Sequence, residues 1–126
     1  MILVDTSIWI EHLRNGNATL RRLLERGAVF AHPWVVGELS LGNLSRRAEV
    51  LGLLRGLPRA TVVTPDEVLG VVEHYQLIGL GIGYVDVQLL AAAKVTAGTA
   101  LWTGDKRLAA AASRRWEPRG LLGRAC

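Results

Sequence analysis

Short apolar runs alternate with helical segments along this chain, and this alternation is the feature that most constrains its fold. The predicted strands cover residues 2–5, 28–32, 60–63 and 99–102, with a fifth near 115–117. Apolar strands that alternate with helices are typical of a parallel sheet whose faces are covered by helices. The sequence therefore predicts one α/β domain over residues 1–126, with a central, mainly parallel sheet of four to five strands flanked by helices.

The helical segments are predicted from apolar spacing and from capping residues. Thr6 or Ser7 is expected to cap the first helix. A capping box formed by Thr64 and Glu67, with Pro65 at the first helical position, marks the start of a later one. The predicted helical ranges are 6–14, 18–27, 33–44, 45–57, 64–79, 84–98 and 105–113.

The composition excludes several classes of protein. The single cysteine, Cys126, cannot form a disulfide framework or a cysteine-rich zinc site. No secretory signal or membrane-spanning stretch is recognised, so we expect a cytoplasmic location. The net charge is +4, and thirteen of the fifteen basic residues are arginine. They recur in pairs at 21–22, 46–47 and 114–115, which either form a solvated face or, taken together, favour a nucleic acid partner.

Acidic residues lie where a ligand of a parallel sheet is expected. Asp5 ends the first predicted strand, and Asp105 follows the last one, two residues after Thr103. Glu38 lies in the helix after the second strand, and Asp86 lies in the first turn of the 84–98 helix. Ligands of such folds bind outside the carboxyl ends of the strands. We therefore expect these acids to converge in one cleft.

Each acid also has a purely structural explanation. Asp5 and Asp105 could cap helices, and Asp86 could be favoured by the dipole of its helix. Glu38 lies in mid-helix, and its neighbours one turn away are apolar or small. This spacing predicts that Glu38 is on a buried face, where an unpaired charge is costly, so a tertiary partner is the alternative to a functional role.

A shared function explains the four acids together. Carboxylates that converge in one cleft repel each other, and a divalent cation removes that repulsion. Oxygen ligands without histidine or cysteine select Mg²⁺, or Mn²⁺, rather than zinc. A cleft with one or two such ions and a basic surround is suited to phosphodiester hydrolysis. The predicted metal ligands are Asp5, Glu38, Asp86 and Asp105.

Four segments in order, "ILVDTSIWI", "GELSLG", "GIGYVDVQLLAAA" and "LWTGDKRL", resemble the successive motifs of the PIN-domain ribonucleases. The greatest likeness is to the VapC toxins of bacterial toxin–antitoxin pairs. The resemblance implies a PIN fold, a homodimer, Mg²⁺-dependent endonucleolytic cleavage of RNA and inhibition by a cognate antitoxin. The catalytic positions that it implies are Asp5, Glu38, Asp86, Asp105 and Thr103. Residues 107–109, where many relatives carry a further acid, contain none.

Two alternative functions stay open at this point. One is an RNA-processing PIN nuclease without an antitoxin. The other is a PIN-like module that binds RNA without cleaving it, although the complete set of four acids argues against lost catalysis.

Several large apolar residues could contact partners. Tryptophan side chains can stack on RNA bases, but three of the four lie on apolar elements, which favours core packing. These three are Trp9, Trp34 and Trp102, and the fourth is Trp116. An antitoxin segment is expected to cover the apolar helix residues Trp9, Leu13, Leu20 and Leu24.

Overall fold

A parallel sheet of three strands lies at the centre of the computed structural model, which describes residues 1–113. The strands are β1 (Ile2–Val4), β2 (Val29–Phe30) and β3 (Ala100–Trp102). Their order is β2-β1-β3, and Leu3 of β1 pairs with Phe30 and with Leu101. Just beyond β1, the N–H of Asp5 donates to the carbonyl oxygen of Trp102 at 2.9 Å. The chain that follows β1 therefore lies beside the chain that follows β3.

Seven helices flank this sheet in the described part of the chain. They are α1 (Thr6–Asn15), α2 (Ala18–Glu25), α3 (Pro33–Ser40), α4 (Arg47–Gly56), α5 (Pro65–His74), α6 (Tyr84–Val95) and α7 (Lys106–Ser113). The predicted capping box of α5 is confirmed. Thr64 Oγ1 accepts from the Glu67 N–H at 3.2 Å, and the Glu67 carboxylate accepts from the Thr64 N–H at 3.1 Å.

The core is built around α6. Every residue from Val87 to Ala93 is buried, as expected for a helix that packs on several sides. Leu89 belongs to a cluster with side chains of β1 and of α1 to α4, whereas Leu90 belongs to a second cluster with side chains of α5 and α7. The first turn of α6, which carries Asp86, is therefore anchored to both parts of the core.

The predicted strand at 60–63 is wrong, although the mainly parallel α/β architecture is confirmed. This part of the chain makes one parallel bridge, between Arg59 and Ala31, and no strand. The chain that carries Ala31 leaves the sheet directly after this residue, because His32 caps α3 and Pro33 begins it. A proline has no N–H to donate, so the pairing cannot continue there.

Two helices are shorter than predicted by four residues or more. The helix predicted at 33–44 ends at Ser40. The helix predicted at 64–79 ends at His74, and two residues later Gln76 has a φ of 54°, which is incompatible with helical continuation.

The strand predicted near 115–117 lies outside the described residues, as does Trp116. None of the helices found in residues 1–113 has the length and apolar character needed to cross a membrane.

Candidate active site

Asp5 lies at the carboxyl end of β1, and only 5% of its surface is exposed. Its Oδ1 accepts a hydrogen bond from the Thr6 N–H at 2.7 Å, so Asp5 caps α1 in place of the predicted Thr6 or Ser7. Its Oδ2 accepts from Ser7 Oγ at 2.9 Å and from Thr103 Oγ1 at 2.6 Å. Three donors therefore hold this carboxylate in one orientation.

Two hydroxyl groups connect this carboxylate to the chain that follows β3. Thr103 Oγ1 donates to Asp5 and accepts from the Asp105 N–H at 3.0 Å. Ser7 Oγ donates to Asp5 and accepts from the Gly104 N–H at 3.0 Å. The sequence predicted Ser7 as a helix cap or a contact to metal-bound water, and its linking role was missed. The available signal was its position two residues after the acid that ends a strand.

Asp105 is exposed at the start of α7. Its Oδ1 accepts from the N–H groups of Arg107 at 2.8 Å and Leu108 at 3.0 Å, so the structural role of helix cap is present. The Arg107 side chain packs on the loop before α6. A methyl group at Gly81, where φ is 74°, would come within 2.5 Å of Arg107 Nη1. Arg107 therefore places a positive charge beside the loop that leads into α6.

Glu38 is exposed in α3, so the prediction that it lies on a buried face is wrong. Trp34 and Leu41, two of the neighbours that suggested burial, are 37% and 89% exposed. The core-facing side chain beside Glu38 is Leu39. Glu38 Oε1 accepts a hydrogen bond from Thr6 Oγ1 at 2.7 Å, a contact that the sequence analysis missed. The face of α3 that carries Glu38 is thus turned towards the start of α1.

Asp86 is half-buried in the first turn of α6, and it accepts no hydrogen bond from residues 1–113. Its pKa is raised to about 6, first by burial and then by the charges of Asp5, Asp105 and Glu38. Because each of these charges acts on Asp86, the four acids share one electrostatic environment. The structure therefore places Asp5, Asp105 and Glu38 within electrostatic range of Asp86, and the region that the four acids border is called the acidic cleft here.

The cleft offers carboxylate and hydroxyl oxygens, which are the donors preferred by hard divalent cations. Within the described residues, however, no three His, Cys, Asp or Glu side chains are close enough to bind one ion directly. Electrostatic repulsion extends further than direct coordination, so this spacing is compatible with the raised pKa of Asp86. Mg²⁺ usually keeps several waters and uses one or two carboxylates, and the donors present fit an ion bound in this hydrated form.

The tryptophans differ in exposure. Trp9 is buried and Trp102 is half-buried, in line with core packing, but Trp34 is 37% exposed. Core packing is therefore wrong for Trp34, whose ring instead contacts that of Tyr84 with the centroids 5.5 Å apart.

A groove of about 370 Å³ lies on the other side of Glu38, between α1 and the segment after α3. Its lining consists of Ile10, Leu13, Arg14, Glu38, Leu39, Gly42, Asn43, Leu44 and Ser45. Of the apolar residues expected to meet a partner, Trp9 and Leu20 are buried and Leu24 is half-buried, so this expected surface is largely wrong. Leu13, at 37%, is the exposed one.

Comparison with known proteins gives the same family as the motifs. A sequence model of the PIN domain matches residues 2–113. Two similar relatives are both called Ribonuclease VapC32, from the CDC 1551 / Oshkosh and the ATCC 25618 / H37Rv strains of Mycobacterium tuberculosis. Each is 50% identical over 111 residues, which cover 88% of this chain and 90% of the relative. The match spans β1 to α7 and every acid of the cleft, and the chain belongs to the PIN-domain family, as a member of its VapC ribonucleases.

Proposed function

We propose that this VapC-family protein is an endoribonuclease that hydrolyses internal phosphodiester bonds of RNA in the cytoplasm, as the toxin of a toxin–antitoxin pair. The observation that carries the proposal is the hydrogen-bonded placement of Asp5, Thr103 and Asp105 at the strand ends. Asp86 adds to it, since burial and the charges of the other three carboxylates raise its pKa to about 6. Four mutually repelling acids in one cleft do not stabilise a fold. Their placement is explained if a divalent cation balances their charge during the reaction, and Mg²⁺, or else Mn²⁺, suits these oxygen donors.

Asp5 and Asp86 are the residues that would hold the cation, Asp5 from the strand ends and Asp86 from α6. When bound, such an ion lowers the pKa of a water molecule and stabilises negative charge on the phosphate oxygens. Thr103 keeps Asp5 oriented through its 2.6 Å hydrogen bond, so this carboxylate needs no rearrangement when substrate binds. Glu38 and Asp105 would add their charge to the site through water molecules bound to the ion.

Hydrolysis requires that a water oxygen forms a bond to phosphorus while the bond from phosphorus to the leaving ribose oxygen breaks. Glu38 is suited to orient that water, because Thr6 occupies only its Oε1 and the side chain is exposed. Asp105 contributes in the same way, since the cap of α7 uses only its Oδ1. The remaining oxygen of each carboxylate can accept a hydrogen bond from water in the cleft.

RNA is the polyanion proposed as substrate. The arginines at 21–22 and 46–47 are exposed, so they are available to phosphates, and the pair at 114–115 lies outside the described residues. Arg14 is a further exposed cation, in the groove that begins at Glu38. These charges would attract RNA to the protein, and Arg14 would do so beside Glu38.

The cognate antitoxin and the homodimer are proposed from the family. For the antitoxin, the groove beside Glu38 offers the exposed side chains of Ile10 and Leu13, and a lysine or arginine of the antitoxin would lie against the acids. Co-expression with the small gene next to this one should relieve toxicity and give a complex that copurifies. Light scattering of the purified toxin should give twice the mass of one chain.

The test of the proposed activity is incubation of the purified protein with defined single-stranded RNAs, with Mg²⁺, with Mn²⁺ and with EDTA. We expect internal cuts that depend on the cation and that EDTA abolishes. Cleavage that continues in EDTA would contradict the metal-dependent mechanism.

The same experiments distinguish the two alternative functions. Cleavage without toxicity and without an antitoxin would favour an RNA-processing PIN nuclease. Binding of RNA without cleavage under any metal condition would favour a non-catalytic module.

A further inference from the structure

Two exposed aromatic rings join the helices that carry Glu38 and Asp86. Trp34 lies in the first turn of α3 and is 37% exposed, and Tyr84 begins α6 and is 44% exposed. Their ring centroids are 5.5 Å apart, and the ring planes are tilted by 57°. The pair therefore presents aromatic surface to solvent at a point where two helix N-termini meet.

A buried side chain of the same helix holds the Tyr84 ring in place. Gln88, one turn further along α6 and 1% exposed, donates a hydrogen bond from its Nε2 to the Tyr84 hydroxyl at 3.1 Å. This contact uses the polar end of the tyrosine inside the protein. The hydroxyl is thus already engaged within the protein, and the ring is the part of Tyr84 that remains for a stacking contact.

The position of the pair relative to the acids is fixed by the helices. Trp34 precedes Glu38 by four residues, so the two side chains lie on one face of α3 about one turn apart. Tyr84 precedes Asp86 by two residues in the first turn of α6. The aromatic surface therefore borders the acidic cleft at Glu38, whereas the two-residue spacing turns Tyr84 and Asp86 to different sides of α6.

We propose that the Trp34–Tyr84 pair is a stacking platform for one nucleobase of the RNA, next to the phosphodiester bond that is cut. This inference rests on the proposed function, because the phosphate must lie at the acids for its neighbouring base to reach the rings. Every base has an aromatic face, and exposed tryptophan and tyrosine rings are the usual surfaces on which unpaired bases stack. The platform would bind the strand without selecting one base strictly.

An apolar segment of a partner protein is the competing occupant of this surface. The position of Trp34 one helical turn from Glu38 favours RNA, because a base linked to a phosphate at that acid is held close to the rings. A protein segment would need a separate reason to end there. The experiment below separates the two occupants.

The first measurement is equilibrium binding of a single-stranded RNA of about ten nucleotides, a length that covers an ordinary binding site. An Asp5→Asn background prevents cleavage during the titration. Trp34→Leu and Tyr84→Leu should each weaken binding about 5- to 100-fold, the usual effect of losing one base–aromatic stack. Trp34→Phe, which keeps an aromatic face, should retain most of the affinity. Leu69→Ala, at a 58% exposed leucine of α5, is the matched surface control and should bind normally.

The second measurement locates the stacked base. A series of RNAs is used, in which each member lacks one base but keeps its sugar and phosphate. The protein with both rings intact should bind one member of this series more weakly than the complete RNA. The loss of affinity from removing this base and the loss from Trp34→Leu should not add when the two changes are combined, because both remove the same contact. In cleavage assays without the Asp5 change, Trp34→Leu should raise KM far more than it lowers kcat.

The outcomes separate the two proposals. If the wild type cleaves RNA and the platform variants bind and cleave as it does, stacking is overturned while the proposed function stands. If the wild type cleaves nothing but its binding depends on both rings and on one base, base stacking on the rings stands, while the proposed function and the position beside a cleaved bond fail. Absence of RNA binding, or loss of antitoxin binding alone in the variants, would overturn the platform.

Discussion

Asp5 and Asp86 border the same cleft, yet their surroundings support them in opposite ways. Asp5 is buried at the end of β1 and accepts three hydrogen bonds. Asp86 is half-buried at the start of α6 and accepts none from residues 1–113. Its pKa is raised to about 6 by burial and by the other three acids. One carboxylate is held by donors, and the other is surrounded by like charge.

This contrast divides the cleft into a strand side and a helix side. The strand side consists of Asp5, Thr103 and Asp105, which the hydrogen bonds of Thr103 join. The helix side consists of Glu38 and Asp86. Oriented donors on the strand side need no rearrangement during the reaction, whereas the repulsion at the helix side makes binding of a cation more favourable. The two sides should therefore respond differently to substitution, pH and metal.

The largest expected effect is loss of activity on either side. Asp5→Asn and Asp86→Asn keep the shape of the side chain and remove its charge, so each should lower the rate of RNA cleavage by about 10²- to 10³-fold. Asp66→Asn is the matched control, because Asp66 is an exposed acid in the first turn of α5. Wild-type rates for either cleft variant in saturating Mg²⁺ would contradict the proposed site.

A smaller effect is expected when the Thr103 hydroxyl of the strand side is removed, and it should exceed the effect of removing another threonine hydroxyl. Thr103→Val removes both hydrogen bonds of the Thr103 hydroxyl at nearly constant shape. We expect a loss of about 1–2 kcal/mol in the free energy of unfolding and a roughly tenfold lower cleavage rate, since Asp5 loses part of its support. Thr99→Val is the control, because the Thr99 hydroxyl makes only a 3.4 Å contact to a carbonyl oxygen. Equal melting temperatures for the two variants would contradict the role of Thr103 in supporting Asp5.

The strand side was also the part of the cleft whose arrangement the sequence predicted best. Asp5 and Asp105 follow strands directly, and the geometry of a parallel sheet alone brings such residues together. The burial of Glu38 was predicted wrongly, because helical spacing shows which residues share a face but not what that face meets. The segment 60–63 has the composition of a strand, but its neighbour turns into α3 at Pro33. Both errors concern tertiary neighbours, on which strand formation and burial depend more than on local sequence.

The pH dependence of stability should report Asp86, on the helix side of the cleft. Asp86 has a pKa of about 6 in the folded protein against 3.8 ordinarily, so the folded state binds more protons between these values. The free energy of unfolding of metal-free wild type should therefore fall as pH rises from about 4 to about 7. Asp86→Asn lacks this dependence and should have the higher melting temperature near neutral pH. Thermal scans in EDTA across this range give the comparison.

Burial of His32 provides an internal check on those scans. Burial lowers the pKa of His32, so its contribution to stability is lost as pH falls below about 6.5, the opposite direction. Because both proteins contain His32, the difference between their curves reports Asp86. Parallel curves for wild type and Asp86→Asn would show that the charge of Asp86 is already balanced without metal.

The smallest expected effect belongs to Glu38, the exposed member of the helix side. Glu38→Gln removes one of the charges that raise the pKa of Asp86 and keeps an oxygen that can accept from Thr6. The melting temperature of the metal-free variant should rise by about 2 °C, in line with a surface change of a few tenths of a kcal/mol. Mg²⁺ at about 100 times its Kd should stabilise the wild type by about 2.7 kcal/mol and the variant, which binds it less tightly, by less at the same concentration. Glu49→Gln, at an exposed acid in the first turn of α4, should leave both quantities unchanged. If Glu38→Gln instead destabilises the metal-free protein strongly and Mg²⁺ shifts both proteins equally, the hydrogen bond from Thr6 is the whole role of Glu38, and the helix side of the cation site reduces to Asp86.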